Sequence, residues 1–217
     1  MKNNLIKIMV ISSVMSVVLL YLRIQWSGNL HFAFLVWNLF LAWIPFLCAL
    51  ALTELQKGST SKYVFAILFC VWLVFFPNSP YILTDLFHLT PKTDVPLWFD
   101  LVLILSFAWN GLILGYTSLF EVHDFLNKFF KKTIVWFFIT GIMILSGFGI
   151  YLGRYPRWNT WDIVNDPINL FSNIINMLTH PLNNTRMMGV TFFFSLFLMI
   201  SYLTLSIFIQ HKQNESE

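Results

Sequence analysis

The sequence predicts an all-α, polytopic helical membrane protein with about six transmembrane helices. It further predicts a broken or re-entrant third helix and an interfacial helix in the last outer loop. Three observations carry this reading. Hydrophobic residues make up 58% of the chain and charged residues only 11%, far from the soluble average. The apolar residues gather into stretches, most near the length of about 20 residues that crosses about 30 Å of hydrocarbon as helix. Nothing alternates like a barrel strand, and an open sheet leaves its backbone unsatisfied in lipid, so helices follow. Residues 1–217 read as a single integral membrane domain.

The stretches are Ile6–Leu22, Phe32–Leu52, Lys62–Phe76, Leu97–Phe120, Thr133–Leu152 and Met188–Ile209. The first has the basic lead-in of a signal peptide, Lys2 and Lys7, but Arg23-Ile24-Gln25-Trp26 follows with no small-residue cleavage site. It is expected to stay as an uncleaved first span. Gly111-x-x-x-Gly115 and Gly149-x-x-x-Gly153 allow close approach of helices and are expected to serve packing within the chain. Asn110, on a polar stripe with Ser106, Thr117 and Glu121, is expected to hydrogen-bond between helices or, as a transport path would need, to contact a substrate.

Orientation follows from the basic residues. With the N-terminus inside, eight of the 13 fall on the cytoplasmic side: Lys2, Lys7, Lys57, Lys62, Lys128, Lys131, Lys132 and Lys212. Five fall outside: Arg23, Lys92, Arg154, Arg157 and Arg186. Both termini are therefore expected in the cytoplasm and the protein in the cell membrane.

The most informative stretch is FPNSPYILTDLFHL, Phe76–Leu89. Two prolines flank Asn78-Ser79, with Ser79 suited to cap a helix and Pro80 to its first turn. At about 100° per residue, Tyr81, Thr84, Asp85 and His88 share one arc of roughly 100° and the apolar residues fill the rest. Lys62–Phe76 makes only about 22 Å of helix, so two readings stand. Either the helix breaks below the outer boundary, its freed backbone covered by protein or water, or the following segment lies flat at the interface.

On the same outer side lie Asp100, at the start of the fourth span, and the loop Arg154–Asp162. In that loop Arg154, Arg157 and Asp162 alternate with Trp158 and Trp161. Three readings apply: an aromatic belt with snorkelling arginines, an anion site gripped by guanidinium forks, or an ion-pair network with Asp85 and Asp100. Beyond it, Asp166-Pro167 starts a helix. Its Ile168, Phe171, Ile174, Ile175 and Leu178 oppose Asn169, Asn173 and Asn176, as an interfacial or re-entrant helix would.

FPNSPYILTDLFHL, WFDLVLILSFAWNGLILGYTSL (Trp98–Leu119) and GRYPRWNTWD (Gly153–Asp162) together resemble an uncharacterised bacterial membrane-protein family, domain of unknown function 1361. The resemblance implies the membrane class and carries no activity.

Asp85, His88 and Asp100 are the candidate catalytic residues, because imidazole titrates near neutrality and carboxylates orient it. Asn78, Arg154, Arg157, Asn159 and Asp162 are the candidate substrate-binding residues. Asp85, His88, Asp100, Arg154, Arg157, Asn159 and Asp162 are expected to cluster on the outer face as one polar site, since a lone charge at such depth is costly. The candidate functions are an enzyme acting on a lipid-linked or phosphorylated substrate, a small transporter or permease component for an anionic solute, and a membrane scaffold. The partners implied are the lipid bilayer and such an anionic or lipid-linked substrate; no nucleic-acid module is present. Cys48 and Cys70 both lie in spans, which supports neither a disulfide framework nor a thiolate metal site. Metal, cofactor and oligomeric state are not named by these residues.

Overall fold

A computed structural model describes residues 2–56, 62–91 and 95–214, with side chains left undescribed at Lys2, Asn3, Gln210 and 212–214. Lys57 and Lys92, two of the charges that set the expected orientation, lie outside the described residues. Among those residues every regular element is helical, and six runs are long and apolar enough to cross a membrane. The chain divides into two compact units, Met1–Phe125 and Leu126–Glu217.

The first unit holds α1 (Lys2–Ser27), α2 (Phe34–Leu55), α3 (Lys62–Phe75), the one-turn α4 (Asn78–Tyr81) and most of α5 (Leu97–Asn127). Gly28 ends α1 at φ +67°, where a Cβ would be strained, and its N–H returns to the Ile24 carbonyl at 2.8 Å. Leu35, Leu39, Ala42 and Phe46 of α2, Ile82, and Leu103 and Phe107 of α5 form one buried apolar cluster. Burial of this kind holds the unit only by packing and interhelical bonds, because lipid is as apolar as the side chains themselves.

Pro77 and Pro80 do not end the helical path. After a turn at Phe76-Pro77, α4 runs directly into a 3-10 helix, Ile82–His88, and Lys62–His88 counts as one run of 27 residues. Ser79 does not cap it: the residue before α4 is Pro77, and Ser79 is fully buried. The Ser79 hydroxyl instead donates to the Ala42 carbonyl of α2 at 3.2 Å. Pro45 lies in the same turn of α2; having no N–H, it leaves the neighbouring Leu41 carbonyl without its helical donor.

Gly111 and Gly115 of α5 face this turn. A Cβ on Gly111 would collide with the Ser79 carbonyl, and one on Gly115 would stand 2.9 Å from the Ser79 Cβ. Both glycines therefore serve packing within the chain, as expected. Asn110, one residue earlier, donates to the Ser12 carbonyl (3.3 Å) and Ser16 Oγ (3.0 Å) of α1, and to Ser106 of its own helix (2.8 Å). Trp72 of α3 donates to Ser118 Oγ of α5 at 3.2 Å. Small residues and amide or indole donors thus join α1, α3 and α4 to α5.

The second unit holds α6 (Lys132–Arg154), the short α7 (Asp162–Asn165), α8 (Pro167–Thr179) and α9 (Thr185–Asn214). The close approach of α6 and α9 falls at Gly147, where a Cβ would run into Thr191 and Ser195, two residues before the first glycine of the expected Gly149 pair.

On α8 the residues sort into three stripes. Leu170 and Met177 are buried, with Asn173 and Ile174 beside them. Ile168, Phe171, Ile175 and Leu178 are exposed apolar residues, at 80%, 53%, 59% and 59%. Asn169, Ser172, Asn176 and Thr179 are exposed and polar. At about 100° per residue the stripes follow one another around the axis. A helix with a protein face, an apolar face and a water face has the form of one lying in a membrane interface.

Candidate functional site

The polar residues of the first unit collect where α1 ends, α2 begins, the 3-10 helix finishes and α5 begins. Asp85 and Asp100 are each only 1% exposed. Asp100 lies in the first turn of α5, where the helix dipole favours a carboxylate. Its partner is Arg23 of α1, fully buried, whose Nε lies 3.2 Å from Asp100 Oδ1. Arg23 Nη1 donates to Ser27 Oγ at 2.9 Å and to Asn29 Oδ1. The face of Phe32 lies 4.9 Å from the guanidinium carbon. Among the described residues Arg23 Nη2 has no hydrogen-bond partner.

Asp85 Oδ2 accepts a hydrogen bond from Asn38 Nδ2 of α2 at 2.8 Å. His88 is half-buried, its ring edge-on to Phe34 at a centroid distance of 5.1 Å. Because the segment is a 3-10 helix, residues three apart eclipse one another. Asp85 and His88 therefore stand in one row more closely than in an α-helix, the carboxylate deep and the imidazole nearer the surface. Thr84 is drawn off the polar arc; its hydroxyl donates to the Tyr81 carbonyl at 2.7 Å. Asn78 likewise donates to the Phe75 carbonyl at 3.0 Å, within the helix turn.

Arg154, Arg157, Asn159 and Asp162 belong to the second unit. Arg154 is the last residue of α6. Arg157 is exposed and sits at φ +63°, a left-handed backbone fixed on its C-terminal side by Trp158. The Trp158 N–H donates to the Leu152 carbonyl at 3.0 Å and its indole to Asn173 of α8 at 3.3 Å. Asn159 and Asp162 close a turn: the Asn159 N–H reaches Asp162 Oδ2 at 2.6 Å and its side chain reaches the same oxygen at 3.3 Å. Within its unit, Asp162 is thus engaged by an asparagine and not by an arginine.

Arg23 and Asn38 were not among the residues singled out in the sequence. Arg23 figured only as an orientation charge, and Asn38 lay inside a uniformly apolar stretch. For Arg23 the usable signal is that opposite charges end one span and begin another on the same side of the membrane. Among the described residues no three His, Cys, Asp or Glu side chains gather as a metal site would need.

Six apolar spans with buried polar residues at one end of the first unit define the class: a multi-pass helical membrane protein. A family model described as protein of unknown function (DUF1361) matches residues 37–201, and the chain belongs to that family. No curated protein matches, and neither does any solved structure.

Proposed function

We propose that this is a cell-membrane enzyme acting at the extracytoplasmic face on a lipid-linked or phosphorylated substrate. Both termini lie in the cytoplasm in this reading, as the eight-to-five basic bias favours, and the chain works as one membrane domain. His88 is the acid or base, Asp85 orients it, and Asp100 fixes the wall beside them through Arg23. In the second unit Arg154 and Arg157 bind an anion, and Asp162, held by Asn159, orders the loop that carries Arg157; in the first unit Asn78 is the remaining substrate-binding candidate.

The observation that carries the proposal is the single row of Asp85 and His88. A carboxylate that is 1% exposed in an apolar chain is costly, and it gains meaning beside a half-exposed imidazole three residues on. The eclipsed 3-10 spacing suits a carboxylate that sets the orientation and tautomer of a histidine. The permease reading draws less support, because Asn110, the polar residue it needs within the membrane, is taken up in joining α1 to α5.

The test is turnover in vesicles of the purified protein containing a polyprenyl diphosphate. Wild type is expected to convert it, and His88→Asn to lose on the order of 10²-fold or more in rate with its thermal transition unchanged. Uptake of a phosphorylated solute without product formation, equal in both proteins, would contradict the proposal.

A further inference from the structure

We infer that the α6–α8–α9 end of the second unit binds the phosphate of an anionic phospholipid, through Arg186, which lies against Tyr155, and Arg157, two residues beyond that tyrosine. The inference rests on the reading of Arg157 as an anion ligand and on no chemistry at His88.

The first ground is charge. The Arg186 guanidinium carbon lies 5.4 Å from the centre of the Tyr155 ring, which itself stacks on Tyr151. Arg157 follows Tyr155 by two residues and is exposed. Neither arginine meets a carboxylate among the described residues, although two are near in sequence. Asp162 is held by Asn159, and Asp166 accepts from Asn169 Nδ2 at 3.0 Å. Two guanidinium groups are thus left without a counter-charge, while the acids that would neutralise them are turned to amides. A planar guanidinium with free donors is matched by the oxygens of a phosphate.

The second ground is depth. The 23 residues of α6 make about 34 Å of helix, slightly more than the hydrocarbon core, so an end of this span reaches the headgroup layer. Arg154, Tyr155 and Arg157 come at that end, and Arg186 is the second residue of α9, the span that returns.

The third ground is α8. Its exposed stripe of Ile168, Phe171, Ile175 and Leu178 is an apolar face in the same unit, fitted to acyl chains, while its asparagine stripe suits water. An apolar face for the chains and uncompensated arginines for the phosphate describe a lipid, and a free anion would use only the second. The left-handed backbone of Arg157 adds to this. Trp158 pins it between α6 and α8, so the guanidinium is carried on a fixed elbow.

The experiment is native mass spectrometry of the full chain released from non-ionic micelles. The micelles contain phosphatidylglycerol or, in a parallel sample, diacylglycerol with the same acyl chains. Wild type is expected to retain phosphatidylglycerol and not diacylglycerol. The double variant Arg157→Gln/Arg186→Gln is expected to retain about tenfold less, or lower still, as loss of charge-assisted bonds implies. Equal retention of the two lipids, or equal retention by the variant, would overturn the inference. Displacement of the lipid by equimolar inorganic phosphate would overturn it too, by assigning the site to a free anion. The comparison of lipids uses wild type alone, so it stands even where the variant fails to fold. Retention is read without turnover. Lipid held by an inactive protein leaves this inference intact and removes the enzyme reading; turnover without retention does the reverse.

Discussion

A guanidinium inside an apolar wall persists only while every neighbour supports it. Arg23 has Asp100 on Nε, Ser27 and Asn29 on Nη1, and the ring of Phe32 against its face. Desolvating both charges offsets most of their attraction, so the pair is worth little as a pair and much as a constraint. Arg23→Ala is expected to destabilise the protein by about 3–5 kcal/mol, because Asp100 is left buried and unpaired. Asp100→Ala should do the same from the other side. The double replacement Arg23→Met/Asp100→Leu should recover most of that loss, as apolar substitutes for buried pairs commonly do. Unfolding in detergent micelles measures all three, and additive losses would count against the pair. In the sequence Asp85, His88 and Asp100 were conspicuous, since charge is rare in so apolar a chain. Their partners were not. Arg23 and Asp100 are 77 residues apart, and nothing local in either segment says which charge meets which.

At the scale of elements, the span positions were readable because length and hydrophobicity alone decide them. The α8 helix was readable from its stripes, although Asn173 and Ile174 are half-buried beside Leu170 and Met177. The path after Pro77 was less so. Its amphipathic arc pointed to a helix, but not to 3-10 geometry, which depends on how Ser79 and Ile82 fit against α5. That fit makes a prediction. Gly111→Leu places a branched side chain where even a Cβ would strike the Ser79 carbonyl. It is expected to destabilise the protein by roughly 1–3 kcal/mol or more, through overpacking. Gly141→Leu on α6, where a Cβ meets nothing within 4 Å, should leave the thermal transition in micelles nearly unchanged. Equal losses for the two would show that α5 does not approach the Ser79 turn so closely.

At the scale of the whole molecule, the proposed function depends on which side of the membrane the polar end of each unit faces. Asp85, His88 and Asp100 lie at one end of the first unit, and Arg154, Arg157 and Arg186 at one end of the second. The enzyme reading needs both ends outside, and the basic residues favour that arrangement by a modest margin. Sequence resolved this side only as a bias, because three of the five charges assigned outside are arginines of the second unit, two of them without a carboxylate there. Arginines that served an anion site, as proposed, would weaken the pattern that topology otherwise sets. The most direct measurement is labelling of single cysteines by a membrane-impermeant maleimide in intact cells, in a chain whose Cys48 and Cys70 are replaced by alanine. The positions are Thr90, after the 3-10 helix, Thr160, in the arginine loop, and Asn127, at the far end of α5. Label at Thr90 and Thr160, with Asn127 reacting only after permeabilisation, is the predicted result. Label at Asn127 with both threonine positions protected would put the polar ends in the cytoplasm and contradict the account.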